Sequence, residues 1–236
     1  MFRPSDRGAS PELVTATIDT PIGRMVAIAS NAGICVLEFL DGRAAPSVAR
    51  KFARRHGARA AAGPSAHVEQ LRAELTAYFG GELRRFETPL DLRGTPFQRA
   101  IWMRVARAPY GKTITYAQVA ARAGRPSAVR AAGHANGRNP VSIVVPCHRI
   151  VGTDGSLRGY GGGLWRKRWL LELERGESPT ARGFTHGHGV AAPTGRFISA
   201  GNSLRLPTRS RPATRTVPSP SSASAGTRRR SPRGSG

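Results

Sequence analysis

Cysteine is nearly missing from this chain: its 236 residues carry two, Cys35 and Cys147. Two thiols exclude a disulfide framework and a four-cysteine metal knuckle, and they point to a reducing compartment. Acidic residues are also few, 14 Asp plus Glu against 37 Lys plus Arg, for a net charge of +23. That imbalance favours polyanionic partners such as nucleic acid over a neutral small substrate. No apolar run approaches the length of a membrane span, and the start, Met1-Phe2-Arg3-Pro4-Ser5-Asp6, lacks the apolar core of a signal peptide. The expectation is a soluble, cytoplasmic protein with no membrane partner, nucleoid-associated if the source is bacterial.

What is present is enough for a core: 39% of the residues are hydrophobic, on a length that allows one large or two small domains. Residues 1–12 read as a frayed lead-in. Residues 14–20, 25–29 and 34–40 then alternate like strands, separated by turns at Pro21-Ile22-Gly23-Arg24 and Asn31-Ala32-Gly33. This predicts a small antiparallel meander, with Cys35 in its core. Residues 45–56 read as a basic surface helix, and 57–63 as an Ala/Gly-rich connector. Val68, Leu71, Leu75, Tyr78 and Phe79 recur at helical spacing up to the stop at Gly80-Gly81. Residues 86–92 read as an extended linker, closing a first unit over 13–92.

A second unit, 93–176, opens at Thr95-Pro96, an N-cap followed by proline in the first helical turn. One face of that helix carries Phe97, Ala100, Ile101 and Val105. Two short helices follow, near 116–122 and from about 127 to 136, around the turn Ala123-Gly124-Arg125-Pro126. That spacing is a helix-turn-helix or an ordinary helical hairpin; Arg122, Arg125, Arg130 and Arg138 favour the DNA-binding form. An apolar strand over 141–145 leads to Cys147, and Gly159-Tyr160-Gly161-Gly162-Gly163 makes a loop that a ligand can approach closely. Trp165, Trp169 and Leu173 share a face of the last helix, which carries Glu172 and Glu174. Cys147 is either a small buried apolar residue or a nucleophile whose thiolate a neighbouring imidazole or cation would favour.

From residue 178 the composition changes. Residues 178–236 contain ten arginines and no Asp, Glu or Lys, which leaves +13 for the first 177 residues. Such a segment cannot bury enough apolar surface to offset the entropy of ordering it, so the expectation is a disordered Arg-rich tail over 177–236, either a DNA tether or a dispensable extension.

The second unit resembles the catalytic domain of the O6-alkylguanine-DNA alkyltransferases. The resemblance rests on Gly94-Thr95-Pro96-Phe97-Gln98, Thr115-Tyr116, Val129-Arg130-Ala131, Ala135-Asn136-Gly137-Arg138-Asn139-Pro140, Pro146-Cys147-His148-Arg149 and the 159–163 glycine loop. Residues 13–40, with the turn Thr20-Pro21-Ile22-Gly23, are similar to the family's N-terminal domain. The likeness therefore spans roughly 13–176. It implies an α+β fold: a ribonuclease H-like N-terminal antiparallel sheet with a helix, then a mostly helical domain holding the helix-turn-helix and the active-site cysteine.

The function implied is DNA repair by a single-turnover methyltransferase. The protein would flip an O6-alkylguanine, or an O4-alkylthymine, from duplex DNA and move the alkyl group to Cys147 by thiolate attack on carbon. Flipping costs a few kcal/mol, less for a poorly paired lesion. In the family pattern His148 activates the sulfur through a water, Glu174 orients His148, and Tyr116 protonates the departing guanine. Tyr160, Val151, Gly161, Asn139 and Pro146 fall at pocket positions, Asn139 also bracing the turn before the cysteine. Arg130 is the finger that fills the flipped base's place, and Thr95, Gln118, Ala131 and Arg138 lie on the DNA face. The implied complex is a monomer in the minor groove with little sequence specificity and no cofactor. His134 and Arg138 stand at variable positions. Two cysteines cannot build the zinc domain of the family's adaptive-response members. A lesion-binding module of the alkyltransferase-like kind is the alternative, and the intact Cys147 argues against it; a cysteine hydrolase is disfavoured because nothing in the basic helix pair suits a peptide or ester.

Overall fold

The structure, a computed structural model, describes residues 12–177 and 179, all within one unit spanning Met1–Gly195. The expected lead-in and tail therefore fall almost entirely outside the described residues. Strands β1 (Glu12–Ile18), β2 (Met25–Ser30) and β3 (Gly33–Phe39) form the meander, antiparallel throughout, with Thr17 opposite Val26 and Val26 opposite Glu38. The period-two pattern sorts side chains to two faces. Met25, Ala27 and Ala29 join the main core, while Val26 and Ile28 turn to the other face, where α1 (Ala45–Arg55) covers them with Ala49 and Ala53. Cys35 is fully buried on the α1 side, and burial, then the Asp91 carboxylate, push its thiol up to about 11.

The connector over 57–63 contains a strand that the sequence does not announce. Here β4 (Arg59–Ala62) lies parallel to β1, so the sheet is mixed in the order β3-β2-β1-β4. Helix α2 (Ala66–Phe79) starts at Ser65, whose hydroxyl accepts from the Val68 amide, and buries Val68, Leu71, Leu75 and Tyr78. The segment after it is irregular, and it docks on β3 through Ile34 N–H to Pro89 O at 2.8 Å and Asp91 N–H to Ile34 O at 2.9 Å.

Both α3 (Pro96–Val105) and α4 (Tyr116–Arg122) begin with capping boxes, Thr95 with Gln98 and Thr115 with Gln118. The buried face of α3 is Ile101, Trp102 and Val105; Ala100, expected there, is exposed. β5 (Ile114–Thr115) directly precedes α4, and α5 (Val129–Gly137) follows it; then come β6 (Ile150–Val151), which pairs parallel with β5, and finally α6 (Leu164–Glu174). One hydrophobic cluster runs from Ile18 and Leu71 through Trp102 and Val119 to Val145 and Leu170, across both expected units. Among the described residues no helix is long and apolar enough to cross a membrane.

One expectation needs correction. The run Val141–Val145 is not a strand: Val141 makes one bridge to Leu37, and the chain then turns, with Ile143 at φ +72°. A β-branched residue in the left-handed region is strained, and the turn is held by Leu37 N–H to Pro140 O and Ser142 N–H to Leu37 O, both 2.8 Å. Its apolar side chains are wanted for core packing, not for a ladder. On α6 the expected Trp165, Trp169 and Leu173 face packs, partly exposed, against the main core, and a second set of positions is buried more deeply. These are Arg166, Lys167, Leu170, Leu171 and Glu174, because the two cations find buried acceptors.

Candidate active site

Cys147 opens a single 3-10 turn, Cys147–Arg149, directly after the turn held by β3, and is 6% exposed. Pro146 precedes it, buried, and its carbonyl accepts from the Arg149 amide at 2.9 Å. Asn139 braces this corner: its Nδ2 donates to Val145 O at 2.7 Å and stands 3.1 Å from Cys147 Sγ, while its Oδ1 accepts from Val141 N–H at 3.0 Å. Burial pushes the Cys147 thiol up; the Asn139 amide and the Lys167 ammonium pull the other way. The resting group is therefore a thiol with thiolate-stabilising groups already in place.

Behind the sulfur lies a closed charge cluster. His148 Nε2 is 2.7 Å from Glu174 Oε1, with no exposure of either side chain. Glu174 also accepts from Arg149 Nε and Nη2, from the Tyr78 hydroxyl at 2.7 Å and from Gly111 N–H at 3.1 Å. Gly111 sits at φ +68°, and a Cβ there would fall 2.8 Å from the Glu174 backbone oxygen, so the close approach favours glycine. Burial alone would raise the Glu174 carboxyl, but the donors on it outweigh burial and hold it down at about 2. Burial lowers His148. Since Arg149 already balances the carboxylate, His148 is neutral: Nε2–H donates to Glu174 and Nδ1 keeps its lone pair, with no hydrogen-bond partner in the protein.

Lys167, fully buried, donates to Ile150 O and to Arg158 O at 2.8 Å, and burial brings it down to about 8. Tyr116 begins α4, its hydroxyl donating to Arg158 O at 3.3 Å; burial and then the nearby Cys147 raise its pKa. Tyr160 closes the other side: its hydroxyl atom is enclosed without hydrogen-bond geometry, and burial followed by Cys147 pushes it well up. The structure thus sets the Asn139 amide against the Cys147 sulfur, Tyr116 and Tyr160 near enough to feel its charge, and His148 on Glu174 in the turn that carries it. On α5, by contrast, Arg130 and Ala131 face solvent, and no carboxylate pairs with Arg130 among the described residues.

Two family models match, "6-O-methylguanine DNA methyltransferase, ribonuclease-like domain" over residues 13–92 and the DNA binding domain of the same name over 96–176. A Mycobacterium tuberculosis protein named methylated-DNA--protein-cysteine methyltransferase is 44% identical over 163 residues, covering 69% of this chain and 93% of its own length. The chain belongs to the 6-O-methylguanine DNA methyltransferase family. A methyltransferase of the same name from Mycolicibacterium paratuberculosis is 46% identical over 165 residues, 70% of this chain and 94% of its own. The crystal structure of the M. tuberculosis O6-methylguanine methyltransferase superposes with a TM-score of 0.59 at 42% identity, covering 71% of this chain and 95% of that one. The structure of the M. tuberculosis protein in complex with DNA gives the same TM-score at 41% identity and the same coverage.

Within that family framework the remaining expected residues divide. Val151 is buried in β6, opposite Thr115. Gly161 is exposed with open space beside it, and its neighbour Gly162 packs so closely on the Phe39 ring that a Cβ would fall 2.6 Å from it. Thr95 and Gln118 are exposed, and their side chains take part in the capping boxes at the starts of α3 and α4. Arg138 is exposed just past α5, and His134 is exposed on α5 itself. The sequence reading missed Arg149, Lys167, Tyr78 and Gly111. Arg149 carried the one usable signal, a cation immediately before the apolar Ile150-Val151.

Proposed function

We propose that this protein is a DNA-repair methyltransferase that takes the alkyl group of O6-alkylguanine in duplex DNA onto Cys147, once per molecule. The observation that carries the reading is the Cys147 sulfur against the Asn139 amide, backed by the neutral His148 on an ionised Glu174. A soft, polarisable thiolate suits attack on an alkyl carbon. In the proposed course His148 Nδ1 takes the thiol proton through a water, and Glu174 stabilises the imidazolium that forms. Asn139 and Lys167 stabilise the thiolate. As the sulfur–carbon bond forms, the carbon–O6 bond breaks and its electron pair passes to the guanine, which Tyr116 protonates. Tyr116 then recovers the proton held on His148, so the alkyl group ends on sulfur and the thiol proton on guanine. The thioether formed is chemically stable, so in this reading each Cys147 is used once.

Arg130 would occupy the stack left by the flipped nucleotide, with Tyr160 and Val151 lining the pocket that receives the base. Little sequence preference is expected, since phosphate contacts position without specifying. The test is incubation with duplex DNA carrying radiolabelled O6-methylguanine, then a denaturing gel. Label fixed to the parent and absent from Cys147→Ser supports the reading; label released to solvent refutes it.

A further inference from the structure

A cleft of about 730 Å³ opens between α1 and the end of α5, meeting the cysteine site at Asn139. Its walls are cationic from three separate stretches of chain: Lys51 and Arg55 on α1, Arg93 before α3, and Arg138 after α5. Two of its cations are already paired, Arg43 with Glu38 at 3.1 Å and Arg93 with Asp91 at 2.8 Å. Lys51, Arg55 and Arg138 are exposed and have no carboxylate partner among the described residues. Arg50 and Arg54 carry the same charge around the neighbouring face of α1, beside Ser47. The field is felt inside the cleft: burial, and after it Arg93 and Arg55, push the His56 imidazole down.

The occupant must supply negative charge. Residues 178–236 bring ten arginines and no acid, and a second copy brings a net +23, so neither this chain's own terminus nor another molecule of it complements the cleft. A phosphodiester backbone does. Arg130 and Arg138 lie at opposite ends of α5, roughly 12 Å apart along the helix axis at 1.5 Å per residue, a span of about three to four phosphates on one strand. The cleft begins where that helix ends, and Asn139 and Pro140 form part of its lining.

We propose that this cleft is a second backbone site, holding phosphates of the same duplex beyond the stretch engaged by α4 and α5. The inference rests on the DNA-binding reading above and extends it to the N-terminal sheet, through α1. Guanidinium groups suit phosphate oxygens, and Lys51 adds a point charge between them.

The test uses the full chain, as Lys51→Gln/Arg55→Gln and, from a second element, Arg138→Gln. Binding to undamaged duplexes of about one and about three helical turns is followed by fluorescence anisotropy across a salt series. On the longer duplex the double variant should bind roughly tenfold more weakly near 0.1 M salt, with a log–log salt slope smaller by about two. Arg138→Gln should lower the slope by about one. On the shorter duplex the Lys51→Gln/Arg55→Gln variant should match the parent, and that variant should react with free O6-alkylguanine base at the parental rate. Unchanged affinity and slope on the longer duplex, while the parent binds it, overturn the cleft site alone. An equal loss on the shorter duplex also overturns it. Failure of the parent to bind either duplex overturns the DNA reading with it. A loss confined to vesicles of anionic phospholipid assigns the cleft to a membrane surface and overturns the proposal.

Discussion

His148 Nε2 and Glu174 Oε1 lie 2.7 Å apart with both side chains closed to solvent. The pair joins the turn that carries the sulfur to the last turn of α6, so the same contact that orients the imidazole also ties the fold together. Arg149 makes it affordable by facing the same carboxylate through Nε and Nη2, both at 2.9 Å.

Glu174→Gln should therefore cost stability as well as activity. Removing one partner leaves the Arg149 guanidinium buried without its counter-charge, worth about 3–5 kcal/mol. The pH dependence has a definite sign. Glu174 is held at about 2 against an ordinary 4.5, so its contribution, about 3 kcal/mol, is present above the unfolded pKa and lost as pH falls from there towards 2. Urea unfolding of parent and variant should show a wide gap near neutral pH that narrows through this acid window. A gap of constant width across it would contradict the assignment.

Asn139→Ala should raise the pKa of Cys147. The amide stands 3.1 Å from the sulfur, and a hydrogen bond to a charged group contributes about 1.5–3 kcal/mol, or roughly one to two pKa units. The rate of thiol alkylation by iodoacetamide, followed against pH, should shift its midpoint upward by that amount. An unmoved midpoint would leave Asn139 as a brace for Val141 and Val145 only.

Arg130→Ala should separate DNA handling from chemistry. Arg130 is exposed on α5 without a carboxylate partner among the described residues, so its loss leaves the core unaffected. Repair of O6-methylguanine in duplex DNA should fall by about 10–100-fold, a few kcal/mol being the scale of base extrusion. Reaction with the free alkylated base should stay at the parental rate. Equal losses on both substrates would remove the finger role.

How far the sequence carries depended on whether a residue's neighbours are local. The β1–β3 meander was legible because alternation and turn residues are short-range signals, and so were the capped starts of α3 and α4. By contrast, β4 is Arg-Ala-Ala-Ala, with no β-branched residue, and exists because β1 offers it a free edge. The run Val141–Val145 shows the opposite error: an apolar stretch without periodicity fits a buried turn as well as a strand. The site was legible where a motif held it, at Pro146, Cys147 and His148; Arg149 stood in that motif without a role. Lys167 and Tyr78 were not, since a lysine on a helix reads as solvated until Ile150 O and Arg158 O are seen beneath it.

The central claim is that Cys147 is spent in a single transfer, and counting methyl groups per chain tests it most directly. Protein mixed with excess duplex carrying labelled O6-methylguanine should gain label up to one methyl per chain and then stop, with the methyl group mapped by peptide mass to Cys147. Label that exceeds one per chain, or repair that continues while Cys147 remains a free thiol, would contradict the account.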